Sequence, residues 1–207
     1  MKLQVSLDMP SLQEALDVTA HIINYVDIIE IGSPLIYKHG IKAVEEFKNK
    51  FPKKDLFADV KMVDRVESII TIFSDAETDY ISILAGTSNS TIQHASKVAH
   101  AANTKLALDL VDAYSMGQSA MDAKALDIDL IIFHGPHETT KLTDLLEEWQ
   151  NVRGNTTLPV FIAGGITKSN LEKVVALKPQ GIIIGDAITK ADDPAQEAAY
   201  FKSIMSS

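Results

Sequence analysis

The sequence has no cysteine among its 207 residues. Disulfide bridges, thiolate metal centres and a thiol nucleophile are therefore excluded, and a reducing, cytoplasmic setting is the natural expectation. Positive charge is scarce. Against 28 Asp and Glu stand 19 Lys and Arg, a formal charge of −9 with an isoelectric point near 5.1. Nucleic acids and anionic membrane surfaces need clustered Lys and Arg to displace counterions, so neither is an expected partner. No apolar run approaches the roughly 20 residues of a membrane-spanning helix. Met1-Lys2 leads straight into Leu3-Gln4-Val5-Ser6-Leu7, which lacks the charged, long apolar and small-residue pattern of an export leader, so a soluble, unexported protein is the expectation. Proline and glycine are scattered at turns, and no Ser/Gly-rich or charge-block tract interrupts the pattern. A chain of this size buries about 70% of its unfolded surface, so residues 1–207 read as a single domain.

What is present is a repeat. Eight short apolar runs, near 2–7, 27–31, 55–60, 80–84, 105–110, 129–133, 158–162 and 181–184, recur at intervals of roughly 25 residues and end in polar or glycine residues. They are β-branched or leucine-rich without clean alternation, as strands covered on both faces should be. Between them lie segments with helical spacing, among them Leu12, Leu16 and Ile23, then Val66, Ile69, Ile70 and Phe73, and later Leu142, Leu145, Leu146 and Trp149. Pro10-Ser11, Ser88-Asn89-Ser90 and Asp193-Pro194 supply helix starts. Eight strands alternating with eight helices predict an α/β fold, a closed parallel (β/α)8 TIM barrel, in preference to a doubly wound open sheet.

In such a barrel the C-terminal strand ends share one face, so distant residues converge on one mouth. The endings are Asp8, Glu30, Asp59 with Lys61, Ser82, Asp109, His134, Gly164-Gly165 and Gly185-Asp186. Asp59 and Lys61, two apart on one strand, should point the same way and could share a proton, a metal or a substrate oxygen. Asp64 reads either as part of that site or as a helix cap. Glu30 lies in an otherwise apolar run, where an ionised carboxylate is costly unless paired or bound to metal. With Asp59 it makes an oxygen-ligand site suited to Mg²⁺, which takes one or two carboxylates and keeps waters. No two histidines end adjacent runs, which argues against Zn²⁺ or Fe²⁺.

Asp8 and Asp109 read either as substrate ligands or as strand-end carboxylates bonded to backbone amides. His134 belongs to the residue type suited to proton transfer near neutrality. His21, His39, His94, His100 and His137 fall on helices or loops. The glycine turns at 164–165 and 185–186 follow the last two runs, where barrels commonly hold phosphate through backbone N–H groups. The overall charge would repel an anionic phosphosugar, so local donors and a cation must hold it. Asp186 sharpens that problem, since like charges 4 Å apart interact by roughly 4 kcal/mol at an effective dielectric near 20. It escapes if its carboxylate turns away to cap the short helix that follows.

Val5 to Asp8, Asp27 to Pro34, Asp59-Val60-Lys61-Met62-Val63-Asp64, Asp109-Leu110, Ala163 to Ile166, and Ala187-Ile188 with Asp193-Pro194 together resemble the orotidine monophosphate decarboxylase superfamily over nearly the whole chain. The Asp-x-Lys-x-x-Asp motif is common to that superfamily. Glu30, where the orotidine monophosphate decarboxylases carry a lysine, looks like the Mg²⁺-dependent branch. There the 3-keto-L-gulonate-6-phosphate decarboxylases typically show glutamate at Asp109, threonine at Ala163 and arginines near His137 and Asp186. The 3-hexulose-6-phosphate synthase family typically shows Asp and Ala at the first two, as this sequence does.

The resemblance implies an aldol condensation of formaldehyde with D-ribulose 5-phosphate, and its reverse, through an enediolate stabilised by Mg²⁺ on Glu30 and Asp59. It implies His134 as proton carrier, Lys61 and Asp64 orienting the substrate and its charge, and Asp8 and Asp109 bonding hydroxyls. Phosphate would fall to the N–H groups of Gly164, Gly165, Gly185 and Asp186. Family members are dimers in which the motif's last aspartate reaches the partner's site, which implies a homodimer with Asp64 acting across it. Arg65 and Val66, Glu77-Thr78-Asp79, and Gly135-Pro136-His137-Glu138 depart from the synthase pattern. Two alternatives therefore stay open: the sister decarboxylase or a related sugar-phosphate lyase, and a barrel that binds a phosphorylated ligand without turning it over.

Overall fold

The computed structural model describes residues 1–134 and 142–206. His137 and the 135–138 turn lie outside the described residues, as do the side chains of Leu142, Leu145 and Leu146. Eight strands, β1 (Lys2–Leu7), β2 (Ile28–Ile31), β3 (Asp55–Met62), β4 (Tyr80–Leu84), β5 (Lys105–Asp109), β6 (Leu130–His134), β7 (Val160–Ala163) and β8 (Gly181–Ile184), pair in parallel and in chain order. β1 also pairs with β8, Val5 opposite Ile184, and this closes the barrel. Each expected strand is present within two residues at either end.

The helices among the described residues are α1 (Leu12–Ile22), α2 (Ser33–His39), α3 (Ile41–Lys50), α4 (Val66–Asp75), α5 (Asn89–Ala101), α6 (Met116–Ala123), α7 (Leu142–Asn155), α8 (Leu171–Ala176), α9 (Asp186–Thr189) and α10 (Pro194–Ser206). Strict one-to-one alternation is thus corrected by two short additions, α2 and α9, in the loops leaving β2 and β8. Pro34 sits in the first turn of α2, where its missing N–H is no loss. Ser11 and Ser88 cap α1 and α5 as expected, and the Asp193 carboxylate accepts from the Gln196 N–H at 3.0 Å. Asp64 is not a cap. The residue at the head of α4 is Arg65, in the left-handed region at φ 52°, with no side-chain cap.

Two apolar layers form the core. Leu3, Val5, Leu7, Ile29, Ile31 and their equivalents face outward and pack beneath the helices. Ile28, Phe57, Tyr80, Leu130, Ile132, Phe161 and Ile183 fill the barrel itself. Above that interior plug the inward positions turn polar: Gln4, Ser6, Glu30, Asp59, Ser82 and Asp109 are all buried.

At the opposite end one device recurs before each even-numbered strand. Asp27, Asp79, Asp129 and Gln180 each donate a backbone N–H to the carbonyl of Leu3, Leu56, Leu106 and Val160 respectively, at 2.9–3.1 Å. The side chain of each then accepts the N–H of that same residue, at 2.7–2.9 Å. Strand entries that would leave backbone donors unpaired are thereby stapled two by two.

Candidate active site

The C-terminal ends of the strands enclose a cavity of about 730 Å³, lined by Asp8, Glu30, Asp59, Lys61, Asp109, His134, both glycine turns and Lys190. Glu30 is not at a strand end but inside β2, pointing into the barrel. There it takes Gln4 Nε2 at 2.5 Å and Ser6 Oγ at 2.8 Å. Ser6 Oγ is also 2.8 Å from the Asp8 carboxylate. A hydroxyl has one proton to give, so it cannot donate to both acids at once; one of the two must return a proton to Ser6. Glu30, the more deeply buried of the two, is the acid whose surroundings favour the proton. Burial, then the charges of Asp59 and Asp8, push its pKa from 4.5 up to about 8. Burial and the charge of Asp59 also raise Asp8, against the Ser6 hydrogen bond that lowers it. Asp8 lies tight beneath the loop after β2, where a Cβ on Gly32 would overlap its carboxylate.

Across the mouth runs a chain of opposite charges. Lys61 Nζ stands 2.5 Å from Asp59 and 3.3 Å from Asp109, and Asp109 stands 3.4 Å from His134 Nδ1. Asp59 also accepts from the Ser33 and Ser82 hydroxyls, each at 3.0 Å. Burial works against the Lys61 charge, but Asp59 and Asp109 outweigh it and raise its pKa. Burial likewise opposes the Asp109 charge, yet the hydrogen bond and charge of His134, then Lys61, hold this carboxyl below its usual value. With Nδ1 engaged by Asp109, Nε2 is the His134 nitrogen left for proton exchange.

Asp59 and Lys61 do come together, but through a bulge and not through the strand periodicity expected. Between Ala58 and Met62 the register of β3 against β4 shifts. Lys61 takes φ 52°, its N–H donating to Ser82 Oγ at 2.8 Å. This bulge re-aims the lysine over the aspartate. Asp109 combines both readings offered for it, since it also accepts the Val111 N–H at 3.0 Å. Asp8, by contrast, pairs with a serine hydroxyl.

Gly164 and Gly165 take successive positive φ values of 96° and 62°, a backbone path that favours residues without Cβ. Asp186 does not cap α9. Gly185 occupies the cap position, and the Asp186 carboxylate instead pairs with Lys190 at 2.9 Å. Asp64 is not brought to the mouth: its side chain is 84% exposed and touches Arg65 at 3.9 Å. Of the other histidines, His100 pairs with Asp129 at 2.8 Å on the far side of the barrel, and His39 bonds the Pro10 carbonyl.

Gln4, Ser6, Ser33 and Lys190 escaped sequence reasoning. Gln4 and Ser6 carry the one available signal, two polar residues alternating with Leu3, Val5 and Leu7 in an otherwise apolar strand. Among the described residues no three His, Cys, Asp or Glu side chains gather as a metal cage. Two neighbouring acids, Glu30 and Asp59, remain, an all-oxygen pair in which the charge of Asp59 helps to raise the Glu30 carboxyl. That donor set fits a hard divalent cation that keeps part of its water.

A parallel barrel whose mouth gathers buried acids, an ion-paired lysine and a histidine carries groups suited to catalysis, and its relatives, synthases by name, support an enzyme of lyase type. The chain matches the Orotidine 5'-phosphate decarboxylase / HUMPS family over residues 1–201, and it belongs to that family. It is 30% identical over 213 residues to a 3-hexulose-6-phosphate synthase of Bacillus subtilis, with 99% of each chain covered. To a synthase of that name from Mycobacterium gastri it is 32% identical, covering 99% of this chain and 100% of the relative. The crystal structure of a 3-hexulose-6-phosphate synthase superposes with a TM-score of 0.91 at 30% identity, covering 99% of this chain and 100% of that one. A 3-keto-L-gulonate-6-phosphate decarboxylase from Vibrio cholerae gives 0.84 at 26% identity, covering 99% and 97%. Among the described residues no helix is long and apolar enough to cross a membrane.

Proposed function

We propose that this protein condenses formaldehyde with D-ribulose 5-phosphate to give D-arabino-hex-3-ulose 6-phosphate, and catalyses the reverse cleavage. The observation that carries the reading is the linked chain Asp59, Lys61, Asp109 and His134 facing Glu30 across one cavity. Full-length similarity to synthases of that name supports it.

His134 takes a proton from C1 of the pentulose through Nε2, and the electron pair left behind forms a bond to the carbonyl carbon of formaldehyde. The formaldehyde oxygen collects the proton in turn. Lys61 sets its ammonium against the negative charge that develops on the substrate oxygens. Asp8 and Asp109 bond its hydroxyls, and the N–H groups of Gly164, Gly165, Gly185 and Asp186 receive the phosphate. Glu30 and Asp59 would hold Mg²⁺, which would supply Lewis-acid charge to the site. Asp64 completes the site from the partner subunit of a homodimer.

Asp109 and Ala163 favour this reaction over decarboxylation of 3-keto-L-gulonate 6-phosphate, whose enzymes resemble this chain with glutamate and threonine there. The deciding assay follows formaldehyde loss from purified protein, ribulose 5-phosphate and Mg²⁺. Consumption is expected. No consumption, with CO₂ released from 3-keto-L-gulonate 6-phosphate, would reassign the chain to decarboxylation, and no turnover of either would leave a binding barrel.

A further inference from the structure

The mouth has a charge problem that the proposed reaction does not solve. Five acids line it, Asp8, Glu30, Asp59, Asp109 and Asp186, yet the substrate brings a phosphate dianion. Among the described lining residues the only lysines or arginines are Lys61 and Lys190. Lys61 is committed between Asp59 and Asp109, on the side of the cavity where the chemistry lies. Lys190 follows α9 and shares the rim with Gly164, Gly165 and Gly185. Its side chain is 71% exposed, so its four-carbon stem is free to swing. Asp186 holds it at 2.9 Å, and that hydrogen bond and charge raise its pKa.

We propose that Lys190 is the cation that recognises the substrate's phosphate, and that Asp186 is a positioning residue which parks the ammonium at the rim until phosphate displaces it. The inference rests on the phosphosugar reading and assigns its anion specificity to one side chain. It also explains why a carboxylate is tolerated at 186: paired with Lys190, it presents little net charge to the ligand. A dianion competes better than a monoanion for the ammonium, and the Asp186 side chain, 57% exposed, stays hydrated after the exchange.

The test is a double-mutant cycle read by calorimetric titration with inorganic phosphate, and by KM and kcat for ribulose 5-phosphate. K190A should weaken phosphate binding about tenfold or more, as expected for loss of a hydrogen bond to a charged group, and raise KM in step, with kcat changing far less. K190R, which keeps the charge, should recover most of the loss. D186N should tighten phosphate roughly two- to fivefold by releasing a surface ion pair. In the K190A background the same change should do nothing, because Asp186 acts only through the lysine. If K190A binds phosphate as the unsubstituted protein does, the role of Lys190 is overturned while the phosphosugar reading stands. If D186N still tightens binding without Lys190, the carboxylate repels phosphate directly and the positioning role falls. Failure of the unsubstituted protein to bind phosphate or turn over ribulose 5-phosphate would sink the phosphosugar reading itself. Unchanged melting temperatures, expected for two exposed side chains, confirm that each variant is folded.

Discussion

Glu30 is a carboxyl group whose environment decides its charge. Unfolded it titrates near 4.5, and folded near 8. Between those values the folded chain holds a proton that the unfolded chain has lost, so folding is favoured by low pH. The contribution is complete below 4.5 and disappears as pH rises through about 8. In chelator, the melting temperature of the protein should therefore fall from pH 5 to pH 8, and Glu30→Gln should flatten much of that slope. Mg²⁺ added at pH 8 should raise the melting temperature and restore activity lost to the chelator. A melting temperature indifferent to Mg²⁺ at pH 8 would argue against a cation on this acid. Asp59→Asn tests the neighbouring position. It keeps an acceptor for Ser33 and Ser82 but removes the charge that faces Lys61, so kcat should drop by about 10²–10³, the range for losing one preorganised electrostatic partner. Full activity in that variant would show the aspartate to be a scaffold. Both positions stood out in the sequence, Glu30 because an acid inside an apolar run is costly to bury unpaired, and Asp59 because a lysine follows two residues later at a strand end. Gln4, Ser6 and Ser33 were not, since small polar side chains occur in strands and loops for many reasons and only their partners reveal a role.

At the scale of elements, the stapled strand entries make the sharpest expectation. Asp79 exchanges two hydrogen bonds with Leu56 and lies 3.6 Å from Lys48. Asp79→Ala leaves the Leu56 N–H without its partner, at a cost of about 1–3 kcal/mol. For a chain of this size each kcal/mol lowers the melting temperature by roughly 2–4 °C. Asp79→Asn, which retains the acceptor oxygen, should fall much less, and activity at 25 °C should survive in both. Equal losses in the two variants would point to the Lys48 pair instead of the backbone bond. The strands themselves could be read closely because runs of β-branched and leucine residues recur at barrel spacing. The bulge in β3 could not. Lys61 in the left-handed region is a choice made by Ser82 and Asp59 on neighbouring positions, and nothing in the local sequence demands it.

At the scale of the whole molecule, Asp64 is the residue that a single chain leaves outside its own cavity. If a homodimer delivers it to the partner's mouth, Asp64→Ala and His134→Ala proteins, each inactive, should regain activity when their subunits exchange. Random exchange in a twofold dimer rebuilds about a quarter of the sites, so the mixture should approach that fraction of full activity. Exchange without recovery would place every functional group within one subunit. The sequence by itself determined the barrel, the strand positions, the acids, lysine and histidine at the mouth, and the family resemblance, because hydrophobic spacing and residue type are local properties. Tertiary structure alone decided which groups share a proton or a charge: Ser6 between two acids, Lys61 between Asp59 and Asp109, Asp186 turned to Lys190. Those pairings join residues from different strands, or depend on a bulge and a four-residue helix. The Asp186–Lys190 pair has the i,i+4 spacing of a helical turn, but the turn itself, and the burial and distance that set the other pairings, arise only in three dimensions.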